Sequence, residues 1–332
     1  MAEFLAERGQ VGEHGIVVLT DVARGRRVRI ARRGATVLSF EVPSPDGVRN
    51  IADGYRDAGE LDTRPSSRYA IMVPFANRIA DARYVFDGAP HDLQPGIEGA
   101  SRAARHGFVR GVDFAIVELR AEDTSAQCTL ATSAIRARPG YPFSIDLVLG
   151  FALDATGLTL EARMRNVGDR PAPCFFAWHA YFRAGDGMAD DWTLEIPART
   201  TIRTDDTLIA LPGGAAYVSL DDAPALDFRK PRGIGDAVLD NGYTDLAPDD
   251  DGRIRTRLSD PAHDFTVTAW QERGVMHAFT GDTLGMGARS AVALEPMEFM
   301  ADAFNRPECA DGIRLEPGAE RIYRCGVEFM AR

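Results

Sequence analysis

The chain has 332 residues, 45% of them hydrophobic, and a formal net charge of -11. That length holds one large all-β domain or two ordinary ones, with enough apolar residues for a substantial core. The acidic balance argues against nucleic acid or an anionic membrane as partner, and weighs against a highly phosphorylated ligand.

Strand patterns dominate in chain order. Val28 and Ile30, then Leu38, Phe40 and Val42, alternate with polar neighbours, and Gly34 separates them as a turn. Tyr84-Val85-Phe86 leads into Asp87-Gly88, a hairpin signal. Phe114 and Ile116 start another strand. Phe143, Ile145, Leu147 and Leu149 alternate, and after Asp154 to Gly157 the residues Leu158, Leu160, Ala162 and Met164 answer them, the clearest hairpin in the chain. Trp192, Leu194 and Ile196, then Phe265, Val267 and Ala269, then Tyr323, Cys325, Val327 and Phe329 carry the pattern to the C-terminus. Ile202 to Pro231 reads as loop-rich, and Ala247 to Gly252 as an exposed acidic turn. No amphipathic helix longer than about two turns is present, so an all-β sandwich of many strands with few short helices is expected. No linker divides two composition zones, and residues 1–332 are expected to form one domain.

Cys128, Cys174, Cys309 and Cys325 form no CxxC pair, and the six histidines form no HxH or HExxH arrangement. Buried free thiols and no metal are expected. The N-terminal residues are acidic with too short an apolar core for a signal peptide, and no run approaches the roughly 20 apolar residues of a membrane span. A cytoplasmic protein is expected, monomeric or homodimeric.

Several segments carry residue types suited to chemistry. Asn77-Arg78 sits inside the apolar run Val73 to Ile79, and an arginine fork there suits sugar hydroxyls or a carboxylate. His106 precedes Gly107, whose missing side chain lets backbone or ligand approach. His91 lies in a turn-like setting and reads as a surface histidine. His179 is embedded among the aromatics Phe175, Phe176, Trp178, Tyr181 and Phe182. That is the setting of a core histidine, or of a desolvated one titrating near neutrality beside rings that stack on a sugar. Asp240 follows an apolar residue and opens a turn in Asp240-Asn241-Gly242. Glu295 follows the apolar run Ala291 to Leu294 and precedes Pro296, which is expected to end the strand. A carboxylate buried there has its pKa raised, as a general base near neutral pH requires.

In this order, Asn77-Arg78, His106-Gly107, His179-x-Tyr181-Phe182, Asp240 and Glu295-Pro296 resemble the aldose 1-epimerase (galactose mutarotase) family, from about Pro74 to Asn305. The resemblance implies a large antiparallel β-supersandwich with an open cleft, no cofactor, and a small aldose as substrate. It makes Glu295 the general base and His179 the general acid, with His106 assisting at the ring-oxygen end and Asn77, Arg78 and Asp240 holding hydroxyls. Ala180, Arg105 and Met297 depart from the family's usual Pro, Leu and Gln, which touches substrate preference more than reaction type. The loops around 186–190 and 201–231 are expected to set that preference. The alternatives are a hexose-6-phosphate epimerase using Arg83, Arg102 and Arg105, and a non-catalytic sugar-binding module on the same fold. A glycoside hydrolase pairing Glu295 with Asp240 would leave the histidines without a role.

Overall fold

Alternation decides the fold. In Ile145–Asp154 every second residue from Ile145 to Leu153 is buried while those between are half-buried, because successive side chains of an extended chain leave opposite faces. The computed structural model describes residues 3–44, 47–94, 96, 102–285 and 287–331. In it Gly157–Asn166 folds back on that strand with Leu147 opposite Met164 and Leu149 opposite Ala162. The other anticipated strands are present as Arg26–Ala31, Val37–Ser44, Arg83–Phe86, Ala115–Ala121, Thr193–Glu195, Phe265–Gln271 and Glu320–Ala331. The α-helices among the described residues are short, Ala58–Thr63 and Ala310–Ile313, and none is long and apolar enough to cross a membrane.

The strands pair antiparallel in three large sheets. A five-stranded meander runs from Phe4–Val11 to Gly47–Asn50. A nine-stranded sheet has Glu320–Ala331 between Gly157–Asn166 and Phe265–Gln271. An eight-stranded sheet runs from Tyr217–Ser219 through Thr200–Ile202, Asp240–Thr244, Val275–Phe279, Val292–Met297 and Ala177–His179 to Ala70–Met72. The meander lies against the nine-stranded sheet, with Phe40 edge-on to Phe329 at 6.1 Å. Further along the same face Phe265–Gln271 meets Val292–Met297, and Phe176 packs on Tyr323 at 5.5 Å. An even spacing within Glu320–Ala331 puts Tyr323 on one side with Phe329. Sheet-on-sheet burial of this kind is the all-β sandwich that the alternation calls for. The four cysteines are buried and free. The acidic turn is exposed, and Asp249 and Asp251 ion-pair with Arg255.

Two local expectations are corrected. Pro296 does not end its strand: Val292–Met297 continues through it, with Pro296 opposite Met276 and Met297 opposite Val275. The amides of Leu294 and Glu298 bond Ala180 and Phe176 on one side, and alternation points the amide position of Pro296 to that side too. There the Trp178 carbonyl accepts from the Ala180 N–H at 3.0 Å, so the missing donor leaves no acceptor unpaired. Asp240-Asn241-Gly242 is likewise no turn but the start of the Asp240–Thr244 strand. Pairing on both sides, with Thr200–Ile202 and Val275–Phe279, overrides its local turn preference.

Candidate active site

The eight-stranded sheet supplies the floor of the site. Register sets Ile202 opposite Gly242, Gly242 opposite His277, and His277 opposite Glu295, and directly opposed residues share a face. His179, at the end of Ala177–His179, continues that row, its Nε2 3.4 Å from Glu295 Oε1. In the neighbouring row Asp240 faces Phe279, Phe279 faces Ala293, and Ala293 faces Tyr181. The Tyr181 ring lies parallel to His179, with centroids 5.1 Å apart and planes at 8°.

A two-stranded ribbon, Arg78–Ala80 with Ala103–Arg105, brings the remaining groups to the floor. Asn77 and His106, at its ends, both have left-handed backbone, φ 50 and 56. Asparagine and histidine tolerate that conformation better than most residues, and such strain collects at functional sites. The His106 amide donates to Asn77 O at 2.9 Å. Gly107 is needed where the chain crosses Val73, since a Cβ there would lie 2.1 Å from Val73 O. The His106 ring meets His179 edge-on at 5.2 Å. Arg78 Nη1 donates to Asn77 Oδ1 at 2.9 Å. Asp302 pins the ribbon, its amide donating to Arg78 O at 2.8 Å and its carboxylate accepting from Ala80 N–H at 2.9 Å.

Asn77, Arg78, His106, His179, Asp240 and Glu295 thus line one cavity of about 260 Å³, together with Arg105, Tyr181 and His277. The polar atoms Arg78 Nε, His179 Nδ1 and Glu295 Oε2 are buried there without a hydrogen-bond partner. Leaving each so is worth about 1–3 kcal/mol, which a polyhydroxylated ligand can recover.

Burial sets the electrostatics. Glu295 is 2% exposed. Desolvation, helped by the charge of Asp240 and opposed by His277 and Arg78, pushes its carboxyl up to about 7. Desolvation, joined by the charge of His277, pulls His179 down to about 3. The expectation that His179 titrates near neutrality is therefore corrected: removal from water outweighs the favourable charge of Asp240. His106 is lowered well below the usual range by burial and by its cationic neighbours.

His277 is the residue that sequence reasoning missed. Its Nε2 is 2.8 Å from Asp240 Oδ1. Burial opposes its charged form, yet that hydrogen bond and the charge of Glu295 outweigh burial and raise its pKa. In Val275-Met276-His277-Ala278-Phe279 the only sequence signal is a histidine on a strand whose other residues are apolar.

Other residues fall outside the cavity. Arg83, in the Arg83–Phe86 hairpin, and Arg102, just before Ala103–Arg105, both ion-pair with Asp81 and Asp92, so of the three arginines proposed for a phosphate only Arg105 lines the cavity. Glu298 is structural, accepting from Phe176 N–H at 2.9 Å and pairing with Arg273 at 2.7 Å. His91 is half-buried and stacks on Tyr84 at 4.8 Å. Leu208 of the 201–231 loop touches the cavity. Among the described residues, 186–190 do not line it; Asp190 and Ala189 hold Arg289, which lies in the loop carrying the lining residues Thr283 and Leu284. Away from the cleft, Glu13, His14 and Asp62 bring potential metal-ligand atoms within 4.8 Å of one another, but Arg33 already reaches Asp62 at 3.5 Å.

The family model described as aldose 1-epimerase matches residues 16–327. An aldose 1-epimerase of Escherichia coli is 24% identical, covering 92% of this chain and 93% of its own length. The uncharacterized protein YihR of the same organism is 26% identical over 71% of each chain. Among solved structures, a galactose 1-epimerase from Lactobacillus acidophilus superposes with a TM-score of 0.81 at 16% identity, covering 100% of this chain and 99% of that one. An epimerase homologue from C. elegans gives 0.80 at 19% identity, covering 93% and 96%. These likenesses show the galactose mutarotase-like fold.

Proposed function

We propose that this chain, which belongs to the aldose 1-epimerase family and is an isomerase, interconverts the α and β anomers of a free aldose, with Glu295 as base and His179 as acid. The observation that carries the reading is the buried pair itself, His179 Nε2 facing Glu295 Oε1 at 3.4 Å, with Glu295 Oε2 and His179 Nδ1 unpartnered in the cavity.

Mutarotation breaks the C1–O5 bond of the hemiacetal and remakes it on the other face of C1. The anomeric hydroxyl gives its proton to the Glu295 carboxylate while the ring oxygen takes one from protonated His179. After rotation about C1–C2 the same two transfers run backwards. Concerted transfer avoids a full alkoxide or oxocarbenium charge, and each positioned group contributes roughly 10²–10⁴-fold. Ionised Glu295 with protonated His179 holds one proton between the two residues, as does neutral Glu295 with neutral His179. Burial favours the neutral tautomer in the empty site, and the sugar's own donor and acceptor favour the charged one. The working form is therefore the pair with one proton, and it is lost as pH rises through the Glu295 ionisation. Arg78, Asn77 and Asp240 hold hydroxyls remote from C1, and His106 supports the ring-oxygen end.

Polarimetry on freshly dissolved α-glucose and α-galactose tests this. Wild type should speed relaxation to the anomeric equilibrium, and Glu295→Gln should lower kcat by about 10²–10⁴-fold while sugar still binds. A Glu295→Gln variant that keeps its rate would remove the base assignment. Sugar binding by wild type without anomer exchange, for every free pentose and hexose tried, would favour a binding module.

A further inference from the structure

Among the ionisable groups of the cavity, His277 has no part in the scheme above. The geometry points to His277 as a charge-bearing positioning residue for that reaction: clamped by Asp240, it stands beside Glu295 and biases the shared proton towards His179. This inference rests on the proton-transfer roles proposed for Glu295 and His179.

The clamp is direct, Nε2 to Asp240 Oδ1 at 2.8 Å. On its other side His277 lies opposite Glu295 on the adjoining strand. Glu295 in turn stands between His277 and His179, since Val292–Met297 lies between Val275–Phe279 and Ala177–His179. Neighbouring strands are about 4.8 Å apart and Coulomb energy falls with distance. A cation at 277 therefore favours the Glu295 anion more strongly than it disfavours the His179 cation, which lies two strands away. Its net effect is to stabilise the charged tautomer that proton transfer needs.

The charged groups around His277 favour its protonated form. Asp240 faces it from Asp240–Thr244, Glu295 from Val292–Met297, and Arg78 and His179 close the same cavity. Ile202, Thr204, Met297 and Met300 complete an uncharged wall. Asp240, bonded to the ring, and Glu295, opposite it on the adjoining strand, outweigh the guanidinium charges of Arg78 and Arg105 in the same cavity, so the imidazolium is the better-matched form and its pKa is raised. A neutral amide at this position would donate to Asp240 equally well, so the positive charge is what histidine adds.

The test compares pH profiles of kcat and kcat/KM for wild type and His277→Gln, which keeps a donor for Asp240 and removes the charge. The pH at which activity is lost on the alkaline side should move up by about one unit and plateau kcat should fall about tenfold, as expected for losing an opposite charge within ~4–6 Å of a carboxylate. KM should change little. An unmoved alkaline limb, or a loss confined to KM, overturns the inference and leaves His277 a hydrogen-bond donor. In case the variant misfolds, the imidazole resonances of wild type decide independently: His277 should remain an imidazolium at pH 7, and a neutral ring there overturns it. If wild type exchanges no anomer at all, the proposed reaction fails, while the same resonances still decide the charge of His277.

Discussion

Glu295, the proposed base, shows how burying a carboxyl works against stability. Its carboxyl is removed from water and raised from 4.5 to about 7 by that burial. Between those two values the unfolded chain has released the proton while the folded chain still holds it, so stability falls as pH rises through that window and levels off above about 7. The difference between the two pKa values is worth on the order of 3 kcal/mol. Glutamine at 295 has the same shape and never ionises. Urea denaturation should therefore find Glu295→Gln more stable than wild type at pH 8, with the advantage shrinking towards pH 5. Parallel stability curves for the two proteins across that range would mean that the carboxyl is not desolvated as its burial indicates. The same residue shows what is legible in sequence. An acid after Ala291 to Leu294 reads as buried and functional, whereas the charge state of its partner His179 depends on neighbours that meet only in the folded sheet.

At the level of elements, the ribbon that carries Arg78 and His106 is held by a crossing that tolerates only glycine. Gly107 has φ 64 and its missing Cβ would fall 2.1 Å from Val73 O, a backbone atom that cannot move without dragging the Phe108 amide bonded to it at 2.9 Å. Gly88, in the Arg83–Phe86 hairpin turn, has a similar φ of 75 but open space around it. Alanine at 88 should cost about 1 kcal/mol from backbone strain alone. Alanine at 107 adds a steric clash worth a further 1–3 kcal/mol or so, and should also displace His106 and lower kcat. Equal destabilisation of Gly107→Ala and Gly88→Ala in chemical denaturation would refute the close crossing. His106-Gly107 was legible as a close approach because glycine lacks the side chain that would hold backbone or ligand away. Asp240-Asn241-Gly242 was misread because its turn chemistry is local, whereas the two strands that capture it come from residues 200–202 and 275–279.

Across the whole molecule, the site is assembled from residues distant in sequence. Asp240, His277, Glu295 and His179 come from four strands of one sheet, and Asn77, Arg78 and His106 from a ribbon beside it. Alternation made the strands legible, from Arg26–Ala31 to Glu320–Ala331, because burial on one face writes itself as a period of two. Strand order leaves no such trace, which is why the neighbour of Glu295 at position 277 was invisible. The global charge has a consequence of its own. A net charge of -11 produces a field that repels anionic ligands at low salt and does little to neutral ones, with a screening length of about 10 Å at 0.1 M. Within the cavity the charges largely cancel: Arg78 and Arg105, with His277 in its proposed charged form, stand against Asp240 and Glu295. If the substrate is a free aldose, kcat/KM should change by less than about twofold between low and high ionic strength, since no charged encounter is being steered. If instead a hexose phosphate is the substrate, its kcat/KM should exceed that of the free sugar and rise as salt screens the acidic surface. Measuring both sugars across that range separates the free-aldose reading from the phosphorylated one, and a strong salt dependence with free glucose or galactose would contradict the neutral-substrate reading.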